Sequence, residues 1–188
     1  NYPGVIEQDE QVHLKLRAAH KQLKPIDGHA PELTGEGLIA YASAGITTDH
    51  ECMSIAEAEA KIALGMKVLI REGSAAKNFD DLLPLLEKYS DEIMFCSDDK
   101  HPDDLIKNGH INTLARRAVA AGYDALEVLR ICSLNPVRHY KLDVGLLQQG
   151  DDADFLVVNN LTDFEVQQTY IRGLKVAENN AVLFPRYI

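Results

Sequence analysis

Apolar positions follow helical spacing and short strand-like runs in alternation up to about residue 100, and the rhythm changes twice afterwards. Val12, Leu16, Ala19 and Leu23 recur at i, i+4, i+7 and i+11 among charged residues, which predicts a helix over residues 5–23. Pro25 closes it, and Ile26-Asp27 begins a short strand that ends near His29. A second helix is expected over 36–44, with Thr34 as its N-cap and Gly45 as its stop, before a strand over 46–49. Ser54 caps a helix running to Leu64, and Glu57 three residues on completes a capping box. Strands at 67–71 and 93–96 enclose a helix over 80–89. Strand ends near 29, 50, 72 and 97, with helices between, predict right-handed βαβ crossovers and a parallel sheet.

Beyond Asp99 the pattern gives two helices, over 111–121 and over 125–133, the second closed by Asn135-Pro136. From residue 146 onward strands and turns dominate, at 155–158, 166–171, 175–176 and 182–184. The expected organisation is an α/β unit over 1–145 and a β-rich segment over 146–188. Four helix-strand units make either half of an eight-stranded α/β barrel or a small open sheet. No G-x-G-x-x-G run follows a strand, which weakens an open-sheet dinucleotide fold.

The 188 residues suffice for one domain with a sizeable core and are short for two. The chain opens at Asn1 in what reads as a turn, so it is expected to be a piece of a longer protein. Hydrophobic residues at 46% and charged residues at 26% are ordinary for a soluble globular domain, and no apolar run is long enough for a membrane span. The net charge of −10 argues against nucleic-acid binding, which needs a basic face. Cys52, Cys96 and Cys132 are dispersed, odd in number and form no CxxC pair, as expected of reduced thiols in a cytoplasmic protein.

The candidate chemistry lies at the strand ends. Asp27-Gly28-His29-Ala30-Pro31, Thr48-Asp49-His50-Glu51 and Cys96-Ser97-Asp98-Asp99 each follow an apolar run with a residue type that ligates metals. Either histidine alone is compatible with hydrogen-bonded packing, and Asp98 alone with capping the helix after Pro102. Together they lie at the C-terminal ends of strands in one predicted sheet, where barrel enzymes build their sites. Imidazole nitrogens with carboxylate oxygens suit Mn²⁺, Fe²⁺ or Zn²⁺, and an ion so held brings the pKa of a coordinated water near neutrality. Arg71-Glu72-Gly73-Ser74 ends the third strand without a strong ligand. There Glu72, and more weakly Ser74, would contact a polar ring, unless Arg71 and Glu72 merely form a solvated ion pair.

At these residues, and at Gly145-Leu146-Leu147 with Ala153-Asp154-Phe155-Leu156-Val157, the chain resembles the amidohydrolase superfamily over nearly its whole length. The Arg71-Glu72-Gly73-Ser74 and Ser97-Asp98-Asp99 runs are similar to the branch whose members deaminate adenine. The resemblance implies the second half, strands five to eight, of a distorted (β/α)8 barrel followed by part of a small β-sandwich domain. It implies His29 and His50 as metal ligands, and Asp98 as both ligand and proton shuttle. Glu72, Ser74, Glu51, Asp99 and His101 become substrate-contact candidates. The implied reaction is metal-dependent hydrolysis of adenine to hypoxanthine and ammonia. Ligands that the superfamily takes from strands one and four have no counterpart in this chain, so the piece alone is expected to be inactive. An open half-barrel is also expected to self-associate or form a homo-oligomer. The competing expectations are another amidohydrolase, dihydroorotase-like or imidazolone-hydrolysing, and a non-catalytic barrel module.

Overall fold

β1 (Thr48–Asp49), β2 (Lys67–Arg71) and β3 (Ile93–Cys96) pair in parallel, in the order β1-β2-β3, in a computed structural model that describes residues 2–185. Asn1 and residues 186–188, which end the two predicted segments, lie outside the described residues. Side chains alternate across a strand, so the register fixes which of them share a face. Val68 pairs with Ile93 and Ile70 with Phe95, and all four are buried against helices that follow or precede the strands. Those helices are α4 (Ile55–Ala63), α5 (Phe79–Leu82), α7 (Ile111–Ala120) and α8 (Ala125–Leu129), which supply Ala58, Phe79, Leu114 and Val128 to one core. Thr48, Lys67, Leu69, Arg71 and Cys96 have the opposite parity.

The expected first strand shrinks to a single parallel bridge, Ile26 to Ile46. Beyond it the chain is held by side chains: Gly28 N donates to Thr48 Oγ1 at 3.2 Å. The approach is so close that a Cβ on Gly28 would fall 2.2 Å from the Thr48 carbonyl oxygen, which only glycine avoids.

Three predicted helices differ in the structure. Residues 5–23 form α1 (Tyr2–Ile6) and α2 (Glu10–His20), because Gln8 takes a left-handed conformation and Asp9 caps α2 through Val12 N. Tyr2-Pro3-Gly4, read from the sequence as part of a turn, lie in the first turn of α1. Leu23, counted in the same stripe, lies past the helix and is exposed. Residues 80–89 divide between α5 and a 3₁₀ segment, Leu83–Glu87, which begins beside Pro84, a residue with no N–H for an α-helical bond. Asn135-Pro136 does not close a helix. A π-helical turn, Arg130–Leu134, follows α8 and leads straight into α9 (Asn135–Tyr140), the wider turn admitting the proline ring.

Asn135 also anchors this joint. Its Nδ2 donates to the carbonyls of Ser90 at 2.7 Å and Ile93 at 2.8 Å, tying α9 to the start of β3. Asn135→Ala strands both acceptors and is expected to cost about 2 kcal/mol, read as a lower urea midpoint at unchanged slope.

α3 (Gly35–Ser43) and α6 (Pro102–Asn108) lie close to their expected places. The C-terminal segment is an antiparallel meander of β4 (Phe155–Val158), β5 (Val166–Ile171), β6 (Leu174–Glu178) and β7 (Ala181–Val182). Phe155 stacks on Tyr170 at 4.5 Å between ring centroids. Phe164 inserts into the helix-backed core, and Asn112 and Arg116 of α7 donate to the Phe164 and Asp163 carbonyls. Among the described residues no helix is long and apolar enough to cross a membrane.

Candidate functional site

The loops leaving the Ile26 bridge and β1 bring their histidines face to face. His29 Nδ1 lies 3.3 Å from His50 Nε2, with ring centroids 5.3 Å apart and the planes inclined at 61°. One oxygen of Glu51 faces both nitrogens, at 3.6 Å from His29 and 3.5 Å from His50. Two ring nitrogens and a carboxylate oxygen thus converge on one point at the C-terminal edge of the sheet. Burial lowers the pKa of His50, and the neighbouring Asp98 and Asp49 charges do not reverse this. A neutral imidazole is the form that offers a lone pair to a metal.

Arg71 closes the other side. Its guanidinium pairs with Glu51, with Asp98 Oδ2 at 3.0 Å and with Asp99 Oδ1 at 3.4 Å. Asp98 is therefore one guanidinium away from the His29–His50–Glu51 group, at the end of β3 and in a left-handed conformation. The side chain of Arg71 is only 8% exposed, and its Nε is buried without a hydrogen-bond partner. Cys96 lies close by, but burial pushes its thiol up to about 12, so it stays protonated and is a poor ligand.

This donor set suits a divalent ion: imidazole nitrogen from two loops, and carboxylate oxygen from Glu51 and Asp98, already gathered around a cationic group. The backbone behind it is held by side chains. Tyr41 Oη accepts from His29 N at 3.0 Å. Asn78 donates to the His50 and Cys52 carbonyls and accepts from Arg71 N at 2.6 Å, joining the second histidine loop to β2.

The other candidates do not enter this group. Glu72 shares parity with Val68 and Ile70, so it leaves β2 on the helix side. There it pairs with Arg117 at 3.1 Å and Lys77 at 3.6 Å, beside a cleft of about 390 Å³. The two charges point apart and do not pair with each other, and Arg71 is the one beside the His29–His50–Glu51 group. Asp99 serves a turn, accepting from Ser74 N and Ala75 N at 3.1 Å each. Burial opposes its ionised form, yet those amides and Arg71 hold its carboxyl below the usual range. Ser74 Oγ donates to Asp104 and accepts from His101 N, and the His101 side chain is exposed. These three residues knit the turn after β2 to the segment after β3.

Sequence reasoning missed Arg71 as a member of the centre, Asn78 as its brace, and the buried Lys61. The first was accessible from parity, because Arg71 stands two residues after Leu69. Lys61 had a fainter signal in its i,i+4 spacing from Glu57. Glu57 does not complete a capping box. Ser54 Oγ accepts from Glu57 N, but the Glu57 carboxylate goes to Lys61 and to other backbone amides.

The amidohydrolase family profile matches residues 1–176. Adenine deaminase of Salinibacter ruber is 57% identical over 178 residues, covering 95% of this chain and 32% of its own length. Adenine deaminase of Methanosarcina mazei is 53% identical over 185 residues, covering 98% and 33%. The chain thus spans about a third of the length of these curated relatives. Among solved structures, a beta-aspartyl dipeptidase of Fervidobacterium islandicum AW-1 superposes with a TM-score of 0.71 at 18% identity, over 97% of this chain and 54% of that one. An N-acetyl-D-glucosamine-6-phosphate deacetylase of Mycobacterium smegmatis gives 0.61 at 19% identity, over 78% and 46%. At that identity the structural matches speak for the fold alone.

Proposed function

This chain belongs to the amidohydrolase family, and we propose that it supplies strands five to eight of a (β/α)8 barrel in a metal-dependent adenine deaminase. The observation that carries the proposal is the convergence of His29, His50 and Glu51, with Asp98 held beside them by Arg71. The 57% and 53% identity with segments of two adenine deaminases, over 95% and 98% of this chain, supports adenine as the substrate. In this reading residues 1–145 are the barrel portion and 146–188 a share of a β-sandwich. Among the described residues β3 pairs with no strand but β2, which leaves its other edge to further barrel strands or to a second copy.

His29 and His50 would hold a divalent ion, with Asp98 as a further oxygen ligand; Mn²⁺ or Fe²⁺ is the favoured occupant and Zn²⁺ is chemically admissible. When bound, such an ion supplies Lewis acidity and an acidified water. The chain's own part is positioning and proton transfer. Asp98 accepts a proton from the water that adds to the ring carbon bearing the amine. It then returns that proton to the departing nitrogen, so adenine and water become hypoxanthine and ammonia. Arg71 orients the Asp98 carboxylate for both transfers.

The test is ammonia release from adenine by a protein of the relatives' full length that carries this chain, loaded with Mn²⁺ or Fe²⁺. Turnover that chelation abolishes is expected. Hydrolysis of a cyclic amide in place of adenine would transfer the chain to another amidohydrolase activity. A protein that takes up no metal and releases no ammonia would be a non-catalytic barrel module.

A further inference from the structure

Behind the two histidine loops lies an ion cluster that deamination chemistry does not use. Lys61 of α4 and Asp49 of β1 are wholly buried, and Glu57 is nearly so. An ammonium has three N–H donors, and all three of Lys61 are engaged: by the Ala30 carbonyl at 2.7 Å, by Glu57 Oε1 at 2.6 Å and by Asp49 Oδ2. The carboxylates turn their other capacity to backbone amides. Asp49 Oδ1 accepts from Ala30 N at 3.3 Å and Glu51 N at 3.1 Å. Glu57 accepts from Glu32 N at 2.8 Å and Met53 N at 3.0 Å.

Every backbone group in this set stands one to three residues after a histidine. Ala30 and Glu32 follow His29, and Glu51 and Met53 follow His50. The same three side chains therefore grip both loops from behind, through five hydrogen bonds to their backbone. Asp49, Cys52 and Glu57 also group as metal-ligating types, but the ammonium already fills the place between the carboxylates. Burial pushes the Cys52 thiol up to about 12, so it adds no charge. Burial by itself pulls the Lys61 pKa down, yet the bonds to Asp49 and Glu57 help to outweigh it and leave the value raised, so Lys61 stays an ammonium across the neutral range.

Ion clusters this deep are poor devices for stability alone, since apolar side chains of similar volume fill such space as well or better. Their advantage is directional: each bond fixes an atom of a loop. We propose that Lys61, Asp49 and Glu57 are positioning residues that clamp the His29 and His50 loops at a fixed separation, so that a divalent ion meets a preformed ligand pair. This rests on the assignment of both histidines as metal ligands.

The test compares the full-length protein with K61M and with K61M/E57Q. The double variant removes one cation and one anion together and so keeps the net charge of the cluster. Mn²⁺ titration, on protein checked for folding, is expected to give a Kd weakened by about 10–100-fold, as for other groups that hold ligands in place. Amide exchange at Glu32 and Met53 is expected to accelerate at least about tenfold, while β4–β6 stay as in the parent. A folded double variant with Mn²⁺ affinity within about twofold of the parent would overturn the clamp. Should neither variant fold, the parent decides: the amides of Ala30, Glu32, Glu51 and Met53 should exchange through one shared opening. Independent exchange at ordinary loop rates would refute the proposal. A parent that binds no Mn²⁺ refutes the ligand assignment instead, and the exchange pattern still judges the clamp.

Discussion

Asp98→Asn, in a full-length protein that deaminates adenine, is expected to lower kcat by about 10²–10⁴-fold while leaving the fold intact. Asparagine keeps the shape of the carboxylate and an oxygen for Arg71, but it cannot take a proton from water and hand it on. The backbone at Asp98 is left-handed, a conformation that asparagine tolerates as well as aspartate does. Its side chain is 39% exposed, so the stability change should stay within about 0.5 kcal/mol. The measurement is turnover beside metal content and the thermal midpoint. A variant that retains its metal and loses less than about tenfold in kcat would remove Asp98 from proton transfer.

Arg71→Met is expected to lower stability and to change the protein's response to metal. The guanidinium is the shared counter-charge of Glu51, Asp98 and Asp99, and methionine fills its volume without replacing the charge. Breaking a fully buried pair costs about 3–5 kcal/mol, and the partial exposure of Asp98 and Asp99 reduces this to about 2 kcal/mol. For a domain of this size that is a fall of about 4–8 °C in Tm. The informative part is the response to metal. If the guanidinium and a divalent ion neutralise the same carboxylates, Mn²⁺ should raise the Tm of the variant more than that of the parent. The ceiling for such rescue is about 2.7 kcal/mol at a hundredfold excess over Kd. Equal metal-induced shifts in the two proteins would separate Arg71 from the metal centre.

β2 and β3 were legible to the residue, because β-branched and aromatic runs stop abruptly at charged clusters. The first expected strand was not, since Ile26 alone reaches β1 and the next contact is a glycine pressed on a carbonyl, which leaves no periodic trace. The break between α1 and α2 was hidden in the same way. The apolar stripe begins only at Val12, beyond the break, and the left-handed Gln8 and the Asp9 cap mark it. At the candidate site, the clustering of His29 and His50 followed from strand ends taken jointly. The division of labour between Arg71 and Glu72 required counting parity along β2, which residue chemistry alone does not reveal. Least legible was Lys61, whose nearest sequence clue looks like a surface pair on a helix. Its bonds to Asp49 and Ala30 span 12 and 31 residues.

The strict alternation at Thr48-Asp49-His50 has a consequence for how this segment can change. Asp49 turns back toward Lys61 while His50 turns forward to His29, so the proposed clamp and the proposed ligand are neighbours in the chain but occupy opposite sides of the sheet. Losing or gaining one residue ahead of them would exchange their places, burying an imidazole against an ammonium and leaving a carboxylate where a ring nitrogen belongs. Point substitution can tune either partner separately. A length change in this stretch forfeits both at once, so diversity here must be sought in residue identity, with the number of residues held constant.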